Sequence, residues 1–256
     1  MASSRKKWIL ITMKGQSNLP CFRTNYNLAP THLQWVIPWC FIWTGTQFDQ
    51  LRAWVNCNPF DLSPSSVPNN FWIELSLWYQ LHVHTWRNIY FVKVSWWATS
   101  LYQDGSLDWN INSTGEMYEQ NRDHVSNARA WLLSNNIPYF YDFDYTSQWE
   151  WDAENSTKSA VYLANRRAIA SQVRTDTGNH QLIDIYIRIH PDVFNSGIFP
   201  DTMSVYADQT TMSTDPKTIM IESDHLSLYL PESIHFDTAW ILQHSDDVFN
   251  IMRQYY

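Results

Sequence analysis

Two residues far apart in the chain carry the chemistry this sequence offers: a serine on a turn leaving a buried strand, and a histidine near the other end. The serine is Ser17, in Gly15-Gln16-Ser17-Asn18, directly after the apolar run Trp8–Met13. The histidine is His235, in Glu232-Ser-Ile-His235. Open α/β sheets place their chemistry at the carboxyl ends of their strands. A hydroxyl there is a poor nucleophile until an imidazole about 3 Å away takes its proton and an acid orients that imidazole. Acyl transfer then develops negative charge on the carbonyl oxygen, which fixed N–H donors must hold. Taken alone, Gly-Gln-Ser-Asn reads equally well as a polar turn.

Three further segments bear on the choice: Lys93–Leu101 (Lys-Val-Ser-Trp-Trp-Ala-Thr-Ser-Leu), Gln148–Ala153 (Gln-Trp-Glu-Trp-Asp-Ala) and Pro231–Asp237 (Pro-Glu-Ser-Ile-His-Phe-Asp). Each follows an expected strand or enters an expected helix. The expected strands are 7–13, 88–94, 137–145, 182–189 and 218–222, with 36–43 an edge or irregular strand because it contains Pro38. Apolar spacing predicts helices over 70–84, 114–135, 157–175 and 238–254, the last capped by Asp237. The Pro-, Ser- and Asn-rich stretch 58–70 reads as a loop. Strands alternating with helices predict a three-layer α/β/α sandwich with a mostly parallel central sheet, and no linker divides residues 1–256 into more than one domain.

Composition narrows the function. The formal net charge is −8 and no basic run exceeds Arg5-Lys6-Lys7, which argues against a nucleic-acid partner. No stretch approaches the ~18 apolar residues of a membrane span. The basic start followed by a short apolar run reads as the first strand, not a secretion signal. The compartments left are the cytoplasm and a viral or surface assembly. Cys21, Cys40 and Cys57 have no metal-type spacing and read as reduced thiols. Asn112-Ser-Thr and Asn155-Ser-Thr read as chance matches to the glycosylation pattern. His82-Val-His84 lacks a third metal ligand, so no metal and no cofactor is expected. Asp224-His225 is a rival acid–imidazole pair, read as a solvated loop, and His190 is read as packing. The aromatic residues are mostly core, with some available as sugar-stacking platforms.

The blocks together resemble the SGNH-type (GDSL-like) hydrolases, in the sialate O-acetylesterase and acetylxylan-esterase-like branch. That branch carries Gly-Gln-Ser-Asn, Gly-Gly-Thr-Ser-Leu, Gln-Gly-Glu-Ser-Asp-Ala and Asp-Gly-x-His in this order. The resemblance runs from Trp8 to about Val248 and takes in Asp108-Trp109-Asn110 and Tyr162-x-x-Asn165. It implies a serine esterase acting on an O-acetylated carbohydrate. Ser17 would be the nucleophile, His235 the general base and Glu232 the orienting acid in place of an aspartate. The backbone N–H of Ser17, a backbone N–H near Trp97 and the Gln148 side chain would hold the oxyanion. Gln16, Asn18 and Glu150 complete the oxyanion and substrate-binding set, and Asp152 supports the site.

The departures run in one direction. Trp97 and Ala98 stand where the resemblance expects Gly-Gly, and Trp72, Trp149 and Trp240 where it expects glycine. The chain holds 6 glycines and 15 tryptophans; a glycine share of roughly 7% is usual. Three readings are open: an active esterase with a remodelled pocket, a degenerate relative that binds glycan without cleaving it, or a UGA codon that specifies glycine and is written here as tryptophan. Intact-protein mass spectrometry separates the last from the others. A mass short by whole multiples of the Trp–Gly difference establishes recoding, and the full tryptophan mass rules it out.

Overall fold

A computed structural model describes residues 7–256 except 17, 20–23, 54–55, 58, 61–70, 106, 149, 227 and 230–233. Strand β1 (Trp8–Gly15) is buried along almost its whole length, as its mostly apolar run suits a central parallel strand. The other strands are β2 (Val36–Trp43), β3 (Phe48–Arg52), β4 (Ile89–Ser95), β5 (Tyr139–Ser147), β6 (Ile183–Ile187) and β7 (Thr218–Ile221). They form one sheet in the order β3-β2-β4-β1-β5-β6-β7, parallel except for the β2–β3 pair. Helix α1 (Glu74–Thr85) packs with α6 (Thr238–Met252). Helix α4 (Tyr162–Thr177) packs with α2 (Met117–Ser134) and α5 (Thr202–Met212), with the single-turn α3 (Ser156–Ser159) leading into it. The result is the expected α/β/α sandwich. Among the described residues no helix is long and apolar enough to cross a membrane.

Helix starts follow their capping chemistry. The Asp237 carboxylate accepts the Trp240 N–H at 2.9 Å and begins α6. Asn155 accepts the N–H groups of Thr157 and Lys158 at 3.1 Å each, so the side chain in one glycosylation-like triplet caps α3. Cys40 and Cys57 are buried free thiols, and burial raises both thiol pKa values, away from the reactive thiolate. Cys21 and nearly all of the 58–70 loop lie outside the described residues.

Of the two readings of residues 36–43, the irregular one holds and the edge one is corrected; one strand, β3, is absent from the expected set. Strand β2 is an interior strand, flanked by β4 and by β3, which is the true edge. Pro38 is tolerated because the β2–β3 register is interrupted between Val36 and Phe41, where its missing N–H costs no ladder bond. Strand β3 itself is short and carries Asp49, Gln50 and Arg52, a polar content that hid it from the pattern.

Buried charges tie the layers together. Lys14 on β1 pairs with Asp144 on β5, and Asp144 also accepts the Thr12 hydroxyl at 2.5 Å. Arg166 on α4 reaches Asp184 on β6 at 2.7 Å. Lys93 on β4 contacts Glu74 on α1 at 3.1 Å, and Glu74 also accepts the Trp72 N–H at 3.0 Å. Lys93 is in register with Met13, so it faces the opposite side of the sheet from Lys14. Removing one partner of such a pair strands a buried charge and typically costs about 3–5 kcal/mol.

The surplus tryptophans leave a structural signature. Trp39 and Trp86 have φ of 60° and 56°, in the left-handed region that glycine favours. Trp86 is the residue after α1, its N–H donating to His82 at 2.6 Å, where helices commonly end on glycine. The indole N–H groups of Trp43, Trp72, Trp78 and Trp240 are buried with no acceptor among the described residues. A buried donor without a partner costs about 1–3 kcal/mol. Trp72 and Trp240 are two of the positions where the resemblance expects glycine; their rings lie 5.6 Å apart, beside Phe236 and His244. Trp86→Gly is therefore expected to stabilise the fold by about 1 kcal/mol, read as a higher urea midpoint. A lower midpoint would mean that the packing of this ring outweighs the backbone strain.

Candidate active site

Three parallel strands end level. Gly15 is in register with Ser95 on one side and with Ser147 on the other. The Gln16 N–H donates to the Ser147 carbonyl at 3.0 Å, and the Trp96 N–H donates to the Gly15 carbonyl at 3.1 Å. The approach is so close that a Cβ on Gly15 would lie 1.9 Å from the Ser147 carbonyl oxygen. The first three blocks therefore leave the sheet at one height, β1 being central with its partners on either side.

From Gly15 the chain enters a turn closed by the Leu19 N–H on the Gln16 carbonyl at 2.8 Å. Gln16 and Asn18 are buried. Ser17, between them, lies outside the described residues, as do Glu232 and Trp149. The Asn18 Nδ2 donates to the Glu150 carboxylate and, at 3.3 Å, to the Ile234 carbonyl. One amide thus joins the first block to the Gln148–Ala153 block and to the residue before His235. His235 is half-buried, and its carbonyl accepts the Tyr229 N–H at 2.8 Å.

The turn after β4 is closed by the Thr99 hydroxyl on the Trp96 carbonyl at 3.2 Å. Its third residue, Ala98, has φ of 57°, the conformation that glycine would adopt without strain. Trp97 is 49% exposed, so its ring projects substantially into solvent. Behind this turn the Gln148 Nε2 is surrounded by three acceptors: the Thr99 carbonyl, Gln16 Oε1 at 3.1 Å and Asp152 Oδ2 at 3.3 Å. An amide nitrogen has two hydrogens. In this state Gln148 therefore spends its donors on the protein, and serving an oxyanion would require it to release one. Asp152 Oδ1 accepts the Leu101 N–H at 2.7 Å.

Residues at the edges of the resemblance hold the same turn. Asn110 and Asn165 each donate to the Leu101 carbonyl at 3.0 Å, and the Trp109 indole donates to the Thr99 hydroxyl at 2.9 Å. The Tyr162 hydroxyl donates to the Gln148 carbonyl at 3.2 Å and accepts from Gln209 at 3.0 Å. Gln209 was not anticipated: its helix, α5, has too weak an apolar pattern to be read from the sequence. The other histidines singled out from the sequence have partners elsewhere. Asp224 accepts from Arg188 and Tyr206, and His225 approaches Asp247 instead, at 3.4 Å. His190 is buried, bonded to the Leu226 carbonyl at 2.8 Å. His82 stacks on Trp39 at 4.8 Å. Among the described residues no cluster of His, Cys, Asp or Glu could hold a metal ion.

Neither a protein-family model nor a curated protein matches the sequence. Solved structures do match in three dimensions. A protein from Arabidopsis thaliana superposes with a TM-score of 0.75 at 12% identity, covering 96% of this chain and 98% of that one. NanS superposes with a TM-score of 0.70 at 14% identity, covering 97% of each chain. XAC1771, a carbohydrate acetylesterase from Xanthomonas citri, gives 0.63 at 14% identity, covering 96% of this chain and 56% of that one. Likeness at these identities establishes a shared fold.

Beneath the 234–240 segment lies His244, fully buried and 2.7 Å from the Tyr145 hydroxyl. Burial lowers its pKa from 6.5 to about 3. Between those values the unfolded chain binds a proton that the folded chain does not, so this group's contribution to stability falls as pH falls through that window. Urea midpoints are expected to drop on acidification more steeply in the wild type than in His244→Gln, which keeps a polar partner for Tyr145 but cannot charge. Parallel curves would show that His244 does not set the acid sensitivity.

Proposed function

We propose that the chain is a serine esterase, one domain throughout, that removes O-acetyl groups from a carbohydrate through an acyl-enzyme. Ser17 Oγ attacks the acetyl carbonyl carbon while His235 takes its proton. The C–O bond to the sugar breaks, and the leaving oxygen receives that proton from His235. Water, deprotonated by His235 in turn, then releases acetate and restores Ser17. Glu232 orients the imidazole. Backbone N–H groups of Ser17 and of the turn at Trp97 hold the oxyanion, with Gln16, Gln148, Asn18 and Glu150 shaping the donors around it. Each donor of this kind is typically worth about 2.7–4 kcal/mol in the transition state.

The observation that carries this reading is the Asn18 side chain, which bonds both Glu150 and the Ile234 carbonyl. It joins the residue after Ser17 to the residue before His235, across more than two hundred positions of sequence. The fold shared with a carbohydrate acetylesterase supports the substrate class. A second reading, a glycan-binding module without turnover, is favoured by Ala98 and Trp97 where the resemblance expects a Gly-Gly turn. In that case the strained turn does not present its N–H groups to a substrate.

Aryl-acetate hydrolysis discriminates the two. The wild type is expected to turn over, and Ser17→Ala to lower kcat by about a thousandfold or more with circular dichroism unchanged. Glycan binding without hydrolysis in the wild type would establish the second reading. Turnover that survives Ser17→Ala would discard the proposed nucleophile.

A further inference from the structure

We propose that Asp152 is a positioning residue whose carboxylate ties the 96–101 turn to the Gln148 side chain and so sets the spacing of the proposed oxyanion donors. The inference rests on the esterase reading for its functional meaning, while the tether itself is a matter of geometry. Asp152 is completely buried, on the single turn of 3-10 helix Glu150–Ala153 that follows β5. Its two oxygens are divided between two arms: Oδ1 takes the Leu101 N–H at 2.7 Å, and Oδ2 takes Gln148 Nε2 at 3.3 Å. Gln148 Nε2 also grips the Thr99 carbonyl, which closes a ring from Asp152 through Leu101 and Thr99 to Gln148 and back.

The rest of the turn is held by neutral groups. The Leu101 carbonyl is taken by Asn110 and Asn165, and the Thr99 hydroxyl by Trp109. Within this ring Asp152 is the one group that can change charge. A carboxylate accepts strongly at both oxygens; the neutral acid carries a hydrogen on one and donates there. The charged groups bearing on it are Lys158 from α3, which favours the carboxylate, and Asp104 from the loop beyond the turn, which opposes it. Tyr162 from α4 faces the same carboxyl and remains neutral, its own pKa well raised by burial. Burial dominates and brings Asp152 up to about 7. The tether therefore tightens as pH rises through neutrality and slackens below it. Asn at this position retains the acceptor for Leu101 but turns a donor toward the Gln148 amide, opening the ring at one arm.

Amide hydrogen exchange at Leu101, measured by NMR and normalised to the intrinsic rate, reads the tether without reference to activity. In the wild type its protection is expected to rise by about fivefold or more as pH increases through about 7. In Asp152→Asn that step is expected to vanish, and aryl-acetate kcat to fall by about tenfold or more with KM nearly unchanged. A wild-type protection profile that is flat through neutrality overturns the proposal even if the variant does not fold. So does a variant that keeps the step, or one that lowers KM-dependent binding and leaves kcat intact. A Leu101 step in a wild type that hydrolyses no ester leaves the tether standing and removes the esterase reading.

Discussion

The site depends on one constraint: three neighbouring parallel strands must end level. Gly15 lies between Ser95 and Ser147 in register, and a side chain at Gly15 would collide with the Ser147 carbonyl. A one-residue slip would invert every side chain of β1 between the two faces and lift one block out of line with the others. Because the register holds, the turns after β1, β4 and β5 rise from one edge. Three side chains then close the gaps between them: Asn18, Gln148 and Asp152.

That register is itself secured from below. Thr12, Lys14 and Asp144 join β1 to β5 on one face, Arg166 brings α4 onto β6 at Asp184, and Lys93–Glu74 anchors α1 to β4 on the other. Buried pairs of this kind add little net stability over a well-packed apolar core, yet they are costly to mispair. Here they penalise any alternative alignment of the central strands. The arrangement separates two tasks, with apolar residues supplying burial and the charged pairs fixing which residue stands opposite which.

Much of this was legible in the sequence, for identifiable reasons. The runs of β1 and β4 are mostly apolar because both faces of those strands are covered, their buried lysines being paired, and Asp237 caps α6 as its position before the helix suggests. Three of the blocks were legible because short polar motifs follow the apolar runs of β1, β4 and β5; the fourth, 231–237, precedes α6 and is described only from Ile234 onward. Other features left no local mark. Strand β3 is short and polar, and α5 lacks a clear apolar stripe. The interior place of β2 depends on a register break that conceals Pro38. The roles of Asn165 and Gln209 are long-range: each reaches a partner brought near only by folding. The tryptophan excess was visible as a count, but its structural consequence lies in the backbone angles at Trp39 and Trp86 and in indole N–H groups buried without acceptors among the described residues.

The proposed esterase requires a nucleophile at position 17 activated by the imidazole at 235. Labelling the intact protein with a fluorophosphonate and mapping the modified peptide by mass spectrometry tests this directly. One adduct is expected, on Ser17, lost when His235 is replaced by alanine. An adduct on another serine, or none at all in the wild type, would contradict it.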